Sequence, residues 1–239
     1  MADFDRVAQK YEAIHTANIA MSGEDSYYFA RLKASLVRGY LAETGSSRQS
    51  LVFVDIGCGT GNLGLAISQE VPDSVALCLD PSYESLKVAT ARDRADNLYA
   101  CADGAAMPLA PGIADVAICA NVFHHMTGDQ VALTLKEAQR VLKPGGLLFV
   151  FEHNPLNPLT RYVVSRCEFD KGVTLLWRRQ VAALCRAAGL APVCRRYIVF
   201  FPHFLRWFRP LERYLGWLPL GAQHMVVAQK RNLLSSRLP

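Results

Sequence analysis

Three short stretches of this chain bring together side chains that can hold a ligand or move a proton. The first, Val54-Asp55-Ile56-Gly57-Cys58-Gly59-Thr60-Gly61-Asn62, sets an acid two residues ahead of alternating glycines. Glycines at that spacing let the chain turn sharply and bring backbone amides close to a ligand with no Cβ in the way. The second is the pair His124-His125, and the third is Glu152-His153. Histidine suits proton transfer because its ordinary pKa lies at about 6.5. A hydroxyl nucleophile benefits from such a base, whereas an amine needs little beyond loss of its proton.

The elements that must position these groups are legible as an alternation. LVFV (51–54), VALCL (75–79), DVAIC (115–119) and LLFVF (147–151) are short apolar runs without period-two patterning, as expected of strands buried on both faces. Asn62–Glu70, Tyr83–Arg94 and Gln130–Leu142 between them suit helices. Alternating β and α units predict an α/β fold: a doubly wound, mostly parallel sheet with right-handed crossovers. The glycine stretch follows the first strand and opens a helix. It thus falls at the first crossover, at the carboxyl edge where open sheets bind ligands.

The flanks depart from that rhythm. Residues 1–45 read as helical, with Ser26 as a cap and Phe29, Leu32, Leu36 and Tyr40 on one stripe. The run Glu152-His153-Asn154-Pro155-Leu156-Asn157-Pro158 carries two prolines and predicts a polar loop above the sheet. Residues 178–188 suit a helix stopped by Gly189, and VCRRYIVF (193–200) and QHMVVAQK (223–230) read as strands. Between those strands Phe204, Trp207, Phe208 and Leu211 fall on one helical face, with Arg206, Arg209 and Arg213 elsewhere and Pro210 interrupting. Such a stripe packs in a core, floors a pocket or lies at a membrane interface. With no repeat and no linker, residues 1–239 read as a single domain.

The net charge of +5 is uneven: from Arg178 to Arg213 the only acid is Glu212. That imbalance favours an anionic acceptor or surface. The N-terminus lacks an apolar signal core, and no apolar run approaches the roughly eighteen residues a membrane span needs. A cytoplasmic protein, with membrane association through 200–218 left open, fits these features. The seven cysteines include no CxxC pair, so neither a disulfide framework nor a zinc site is suggested. Cys58, Cys78, Cys101 and Cys119 fall in or beside predicted strands, where a thiol acts as a small hydrophobe.

The stretch VDIGCGTG resembles motif I of the class I S-adenosylmethionine-dependent methyltransferases, in particular the small-molecule, type 11-like group that includes ubiquinone and menaquinone methylases. The resemblance covers roughly residues 50–150. It implies a seven-stranded Rossmann-like sheet with a helical lid over residues 1–45, and S-adenosylmethionine as cofactor. Carried over residue by residue, Gly57, Cys58, Gly59 and Gly61 pack on the cofactor's methionine portion, and Asp55 orients its amino group. Asp80, ending VALCLD and followed by Pro81, accepts the ribose hydroxyls; its bland alternative is a helix cap. Asp103-Gly104 receives the adenine, and the strand-four stretch ending in Asn121 and His124-His125 faces the reactive portion. Tyr11, in a start resembling FDxxAxxY, closes over the cofactor, while Val141–Gly146 resembles the family's turn into strand five.

The resemblance implies methyl transfer to a small-molecule or lipid- or sugar-linked acceptor. O-methylation with His124, His125 or His153 as base is the first expectation, N-methylation the second. Acceptor contacts are expected from residues 22–29 and from insertions over 152–177 and 201–222, gathered at the carboxyl edge. Gly59-Thr60-Gly61-Asn62-Leu63-Gly64 also satisfies GxGxxG, so an NAD-dependent oxidoreductase remains an alternative, as does a catalytically inactive cofactor-binding protein. No (D/N)PP(Y/F) motif is present, and no nucleic-acid partner is expected. No metal is expected, and the oligomeric state is open.

Overall fold

In the computed structural model the described residues are 23–45, 50–95, 97–167, 170 and 172–231. Tyr11 and the rest of the FDxxAxxY start lie outside them.

Helix α1 (Ser26–Glu43) is capped by Asp25, whose carboxylate accepts the Tyr28 N–H at 2.6 Å, one residue earlier than the sequence suggested. Its buried face is Ala30, Lys33, Ala34, Val37 and Leu41, one residue out of phase with the predicted Phe29–Tyr40 stripe. The small residues Ala30 and Ala34 let the helix approach the sheet closely, where they join a core containing Phe53, Ile67 and Phe149.

Then follow β1 (Val52–Ile56), α2 (Asn62–Glu70), β2 (Val75–Asp80), α3 (Tyr83–Arg92), β3 (Leu98–Cys101), β4 (Ala114–Ala120), α4 (Gly128–Val141) and β5 (Leu142–His153). The chain ends in α5 (Pro158–Arg166), α6 (Arg178–Ala187), β6 (Leu190–Ile198), α7 (Glu212–Leu215) and β7 (Gln223–Lys230). One seven-stranded sheet has the order β3-β2-β1-β4-β5-β7-β6. The pairs among β1 to β5 are parallel, and β7 is antiparallel to both β5 and β6. Two apolar cores cover its faces: one gathers Leu135, Leu148 and Val181 with α4 and α6, the other gathers Phe53, Phe149 and Phe151 with α1 and α2.

Two elements differ from the expected pattern. Strand β3 was not predicted: Leu98–Cys101 is an edge strand of only four residues, none of them buried. Cys101 is accordingly exposed rather than packed, while Cys78 and Cys119 are buried. The second proline of the predicted loop opens helix α5. Pro158 occupies the first turn, where its missing N–H costs nothing, and Asn157 caps the helix by accepting the Thr160 N–H at 2.9 Å.

The strand directions place the flanking segments. β6 runs the same way as β5, since both are antiparallel to β7. The connection from Ile198 to Gln223 therefore emerges at the carboxyl edge, beside the ends of β1 and β4.

Candidate active site

The glycine loop is held by the strand next to it. Gly57 and Cys58 both donate their N–H groups to the Leu79 carbonyl, at 2.8 and 3.0 Å. Gly59 N–H donates to Oδ2 of Asp80 at 2.8 Å, and Ser82 N–H to Oδ1 at 2.8 Å. Asp80 thus orients the loop and the start of α3 together. Gly57 has a φ of +74°, and a Cβ there would meet Val122 Cγ2 at 2.6 Å, so both conformation and space demand glycine.

Asp55, one residue before the end of β1, is buried, its Oδ2 without a hydrogen-bond partner among the described residues. Burial, and then the neighbouring Asp80, raise its pKa to about 7. Lys33 reaches the same place from α1. It is buried, and desolvation lowers its pKa to about 8 against the opposing charges of Glu152 and Asp55.

These two residues help to wall a cavity of about 500 Å³ at the carboxyl edge. Of the residues singled out from sequence, Asp55, Gly57, Cys58, Gly59, Asn121 and His153 line it. The three flanking segments meet there: Ser26 and Phe29 from α1, Asn157, Thr160 and Val163 at α5, and Phe200, Pro202 and Phe204 before β7. Asn121 adopts a φ of +57° at the end of β4. Its Oδ1, like Oε1 of the lining residue Gln223, is buried without a partner among the described residues. Three unsatisfied acceptors around one cavity call for a ligand rich in N–H and O–H donors.

Gly61, Asp80, Pro81, Asp103 and Gly104 do not line this cavity, though Asp80 contacts its floor through Gly59. Asp103 makes a local turn, accepting the Ala105 N–H at 2.9 Å. Gly104 packs tightly, with a Cβ placed 2.9 Å from Ile56 Cγ2.

His124 and His125 do not line the cavity either. After β4 the chain enters a 3-10 turn (Phe123–His125) that draws His124 against Glu152. Glu152 is fully buried and accepts the N–H groups of Val122 and Phe123 at 3.1 and 2.8 Å; its Oε2 lies 2.6 Å from His124 Nδ1. Burial opposes the charged form of His124, but Asp170 and Glu152 outweigh it and raise its pKa to about 9. His124 is therefore a structural cation at neutral pH. His125 and His153 move the other way: desolvation, then the His124 charge, lower them to about 4 and about 3. No member of the trio is poised near its ordinary value.

His124, His125 and Asp170 also bring three ligand atoms within 4.8 Å of one another, a spacing that a metal ion could use. Such use would require His124 to give up the Nε2 proton that faces Asp170, while the Nδ1 proton stays with Glu152.

Sequence reasoning missed Lys33. Its signal was available: it shares the small-residue face of α1 with Ala30, Ala34 and Val37, where a lysine is out of place. The predicted polar loop has a further job that sequence did not reveal. Asn154 Nδ2 donates to the carbonyls of Pro219 and Gly221 at 3.1 and 2.8 Å, Asn157 Nδ2 to Leu220 O at 2.6 Å, and Thr160 Oγ1 to Ala222 O at 3.0 Å. These bonds fasten the end of the β6–β7 connection to α5.

Residues 54–150 match the family model described as a methyltransferase domain. The ubiquinone/menaquinone biosynthesis C-methyltransferase UbiE of Syntrophotalea carbinolica is 34% identical over 162 residues, which cover 65% of this chain and 62% of that relative. The chain thus spans less than two thirds of that relative's length. Among solved structures, a chain of the complex between the Haloferax volcanii Trm112 methyltransferase activator and a methyltransferase superposes with a TM-score of 0.66 at 19% identity, covering 96% of this chain and 98% of that one. A Thermotoga maritima S-adenosylmethionine-dependent methyltransferase gives 0.66 at 19% identity, covering 95% and 98%. The seven-stranded sheet and its flanking helices are common to these folds.

Proposed function

We propose that this chain, a class I S-adenosylmethionine-dependent methyltransferase by its domain and fold, passes a methyl group to a small-molecule or lipid-like acceptor seated in the cavity. The observation that carries the reading is Asp55: a buried carboxylate beside a glycine loop, in the wall of the cavity, with one oxygen unsatisfied among the described residues. An ammonium group is the donor such an oxygen lacks. Lys33 beside it supplies the charge for a carboxylate, so the two form a clamp for an amino-acid zwitterion. Asp80 is assigned to the ribose hydroxyls, because it ends β2 beside the glycine loop that it braces. Asp103 is assigned to the adenine and Tyr11 to the lid. When bound, the cofactor supplies an electrophilic methyl carbon on a sulfonium sulfur.

The protein then has to hold a nucleophile in line and keep water out. Phe29, Leu159, Val163, Val164 and Phe200 give the acceptor an apolar seat. His153 is the one histidine of the trio facing that seat. A neutral imidazole accepts a hydrogen bond from an acceptor hydroxyl and aims its oxygen. With a pKa of about 3 it orients the proton rather than storing it. This favours O-methylation of an acidic hydroxyl, whose proton leaves along the His153 hydrogen bond towards solvent at the cavity mouth. The C-methyltransferase name of the relative supports a second reading, in which the methyl lands on a carbon conjugated to the same oxyanion.

Calorimetry with S-adenosylhomocysteine and with NAD tests the cofactor: binding of the first without the second is expected, and the reverse would overturn the reading. Comparing metabolites with and without the protein by mass spectrometry, then locating the added methyl by NMR, separates oxygen from carbon. An added methyl on nitrogen would remove the hydroxyl acceptor.

A further inference from the structure

The β6–β7 connection is unusual in what it leaves outside. Neither the 3-10 segment His203–Leu211 nor α7 buries a single side chain. Phe204 is 73% exposed, Trp207 78% and Trp217 72%. The stripe predicted from spacing as core, pocket floor or interface therefore faces outward. Beside it, α5 exposes Leu159 and Tyr162. The two segments form one face, because Asn157 and Thr160 are bonded to the carbonyls of Leu220 and Ala222. That face surrounds the mouth of the cavity: Leu159 from one segment and Phe204 from the other are both exposed and both line it.

The charge of the face has one sign. The guanidinium groups of Arg166, Arg206 and Arg213 lie over the rings of Tyr162, Trp207 and Tyr214, at 5.4, 5.3 and 4.7 Å. Of the acids nearby, Asp25 is exposed at the cap of α1, while Glu24 and Glu212 are turned inward. Glu24 is bonded to Arg209 at 2.6 Å and to His203 at 3.0 Å, and Glu212 accepts the N–H groups of Phe200 and Phe201. Aromatic rings flanked by arginines match the boundary between headgroups and acyl chains, where the ring enters the apolar layer and the cation stays at the phosphates. A second copy of the chain is a poorer occupant, since a two-fold contact would set this arginine-rich face against itself.

We propose that the face formed by residues 203–220 and α5 docks onto an anionic lipid bilayer and sets the cavity mouth in the interface. A lipid-dissolved acceptor then enters the cavity without crossing water. The inference extends the methyl-transfer reading by naming where the acceptor comes from, and it is tested without any turnover.

The full-length protein is floated with vesicles of phosphatidylcholine alone and of phosphatidylcholine mixed with phosphatidylglycerol. Binding to the mixed vesicles is expected to be at least about tenfold tighter and to weaken with added salt, with a blue shift of tryptophan emission. The double variant Trp207→Ser/Trp217→Ser is expected to lose flotation while keeping its melting curve and its S-adenosylhomocysteine affinity. Arg206→Glu/Arg213→Glu is expected to lose the preference for anionic vesicles. Absence of flotation with mixed vesicles, or flotation of the double tryptophan variant equal to that of the parent, overturns the proposal. So does a dimer in sedimentation that Trp207→Ser dissociates, which would make the face a contact between copies. Flotation without methyl transfer to any acceptor would leave docking standing and remove the enzymatic reading.

Discussion

On the glycine-loop side of the cavity the backbone positions the ligand groups, whereas on the β6–β7 side that task falls to side chains. Gly57, Cys58 and Gly59 are tied by their own N–H groups to Leu79 and Asp80, and the loop sits on strands buried on both faces. Opposite them, residues 203–215 bury nothing, and the connection is fastened by Asn154, Asn157 and Thr160. The first side is stiff and suits a ligand that never changes. The second has few buried contacts and belongs to the least stable part of the fold, where binding specificity is commonly placed.

The largest expected effect comes where the two sides meet. Glu152 ends the strand that leads into α5 and bonds the turn that follows Asn121. Glu152→Ala leaves the buried histidine cation with Asp170 alone, strips the Val122 and Phe123 N–H groups of their acceptor, and is expected to cost about 3–5 kcal/mol in urea unfolding. The effect has a pH signature. Folding raises His124 to about 9, so its contribution is complete below its ordinary value of about 6.5 and is lost as pH rises through about 9. Glu152 is held below the usual carboxylate range because the His124 hydrogen bond and charge outweigh its burial, so its share is lost in acid instead. Parent and variant should differ most near about pH 6 and less towards about pH 10, where the lost bonds to the Val122 and Phe123 N–H groups remain. A difference that does not shrink in alkali would show that the pair is not ionic.

A smaller effect, confined to the glycine-loop side, sharpens the contrast. Asp55→Asn removes a charge-assisted hydrogen bond worth about 1.5–3 kcal/mol, so S-adenosylhomocysteine affinity should fall roughly tenfold to a hundredfold by calorimetry. Folding moves the Asp55 pKa up to about 7, so the parent loses stability as pH rises to that value and the variant does not. The variant should therefore melt higher than the parent at about pH 8 while binding the ligand more weakly. Equal affinity would remove Asp55 from the cofactor site.

The smallest effect belongs to the other side. His153→Gln takes away one neutral hydrogen bond, worth about 0.5–1.5 kcal/mol, and should slow turnover about two- to tenfold with unchanged S-adenosylhomocysteine affinity. Because burial holds His153 near a pKa of about 3, parent and variant should share one pH profile from about pH 5 to about pH 9. A limb near neutrality present only in the parent would restore His153 as a base.

The same division decides what could be read in advance. The glycine loop was legible because a backbone requirement is written directly as residue type: Gly57 tolerates no Cβ. The strands β1, β2, β4 and β5 were legible because burial on both faces leaves an apolar run. β3 was not, since it is an edge strand of only four residues, with Leu98 and Cys101 exposed. The phase of α1 was misjudged because bulk suggested the core, whereas close packing selected Ala30 and Ala34. The histidines were legible as types but not as states. The group that sets His124 lies 28 residues away in Glu152, and nothing local announces that distance. The outward aromatic stripe had the right spacing, yet periodicity alone does not say which way a stripe faces.

Ile198 and Gln223 stand opposite one another on a single rung between β6 and β7. The connection they bound therefore starts and finishes at one point of the sheet. The side chains of Asn154, Asn157 and Thr160 grip only its carbonyl oxygens, at residues 219–222, and every residue type carries a carbonyl. Added length within residues 199–218 thus leaves the rung between Ile198 and Gln223 in place, at a closure cost of only about 0.6 kcal/mol per doubling of length. The fold carries, at the mouth of the cavity, a cassette whose two ends meet at one point of the sheet.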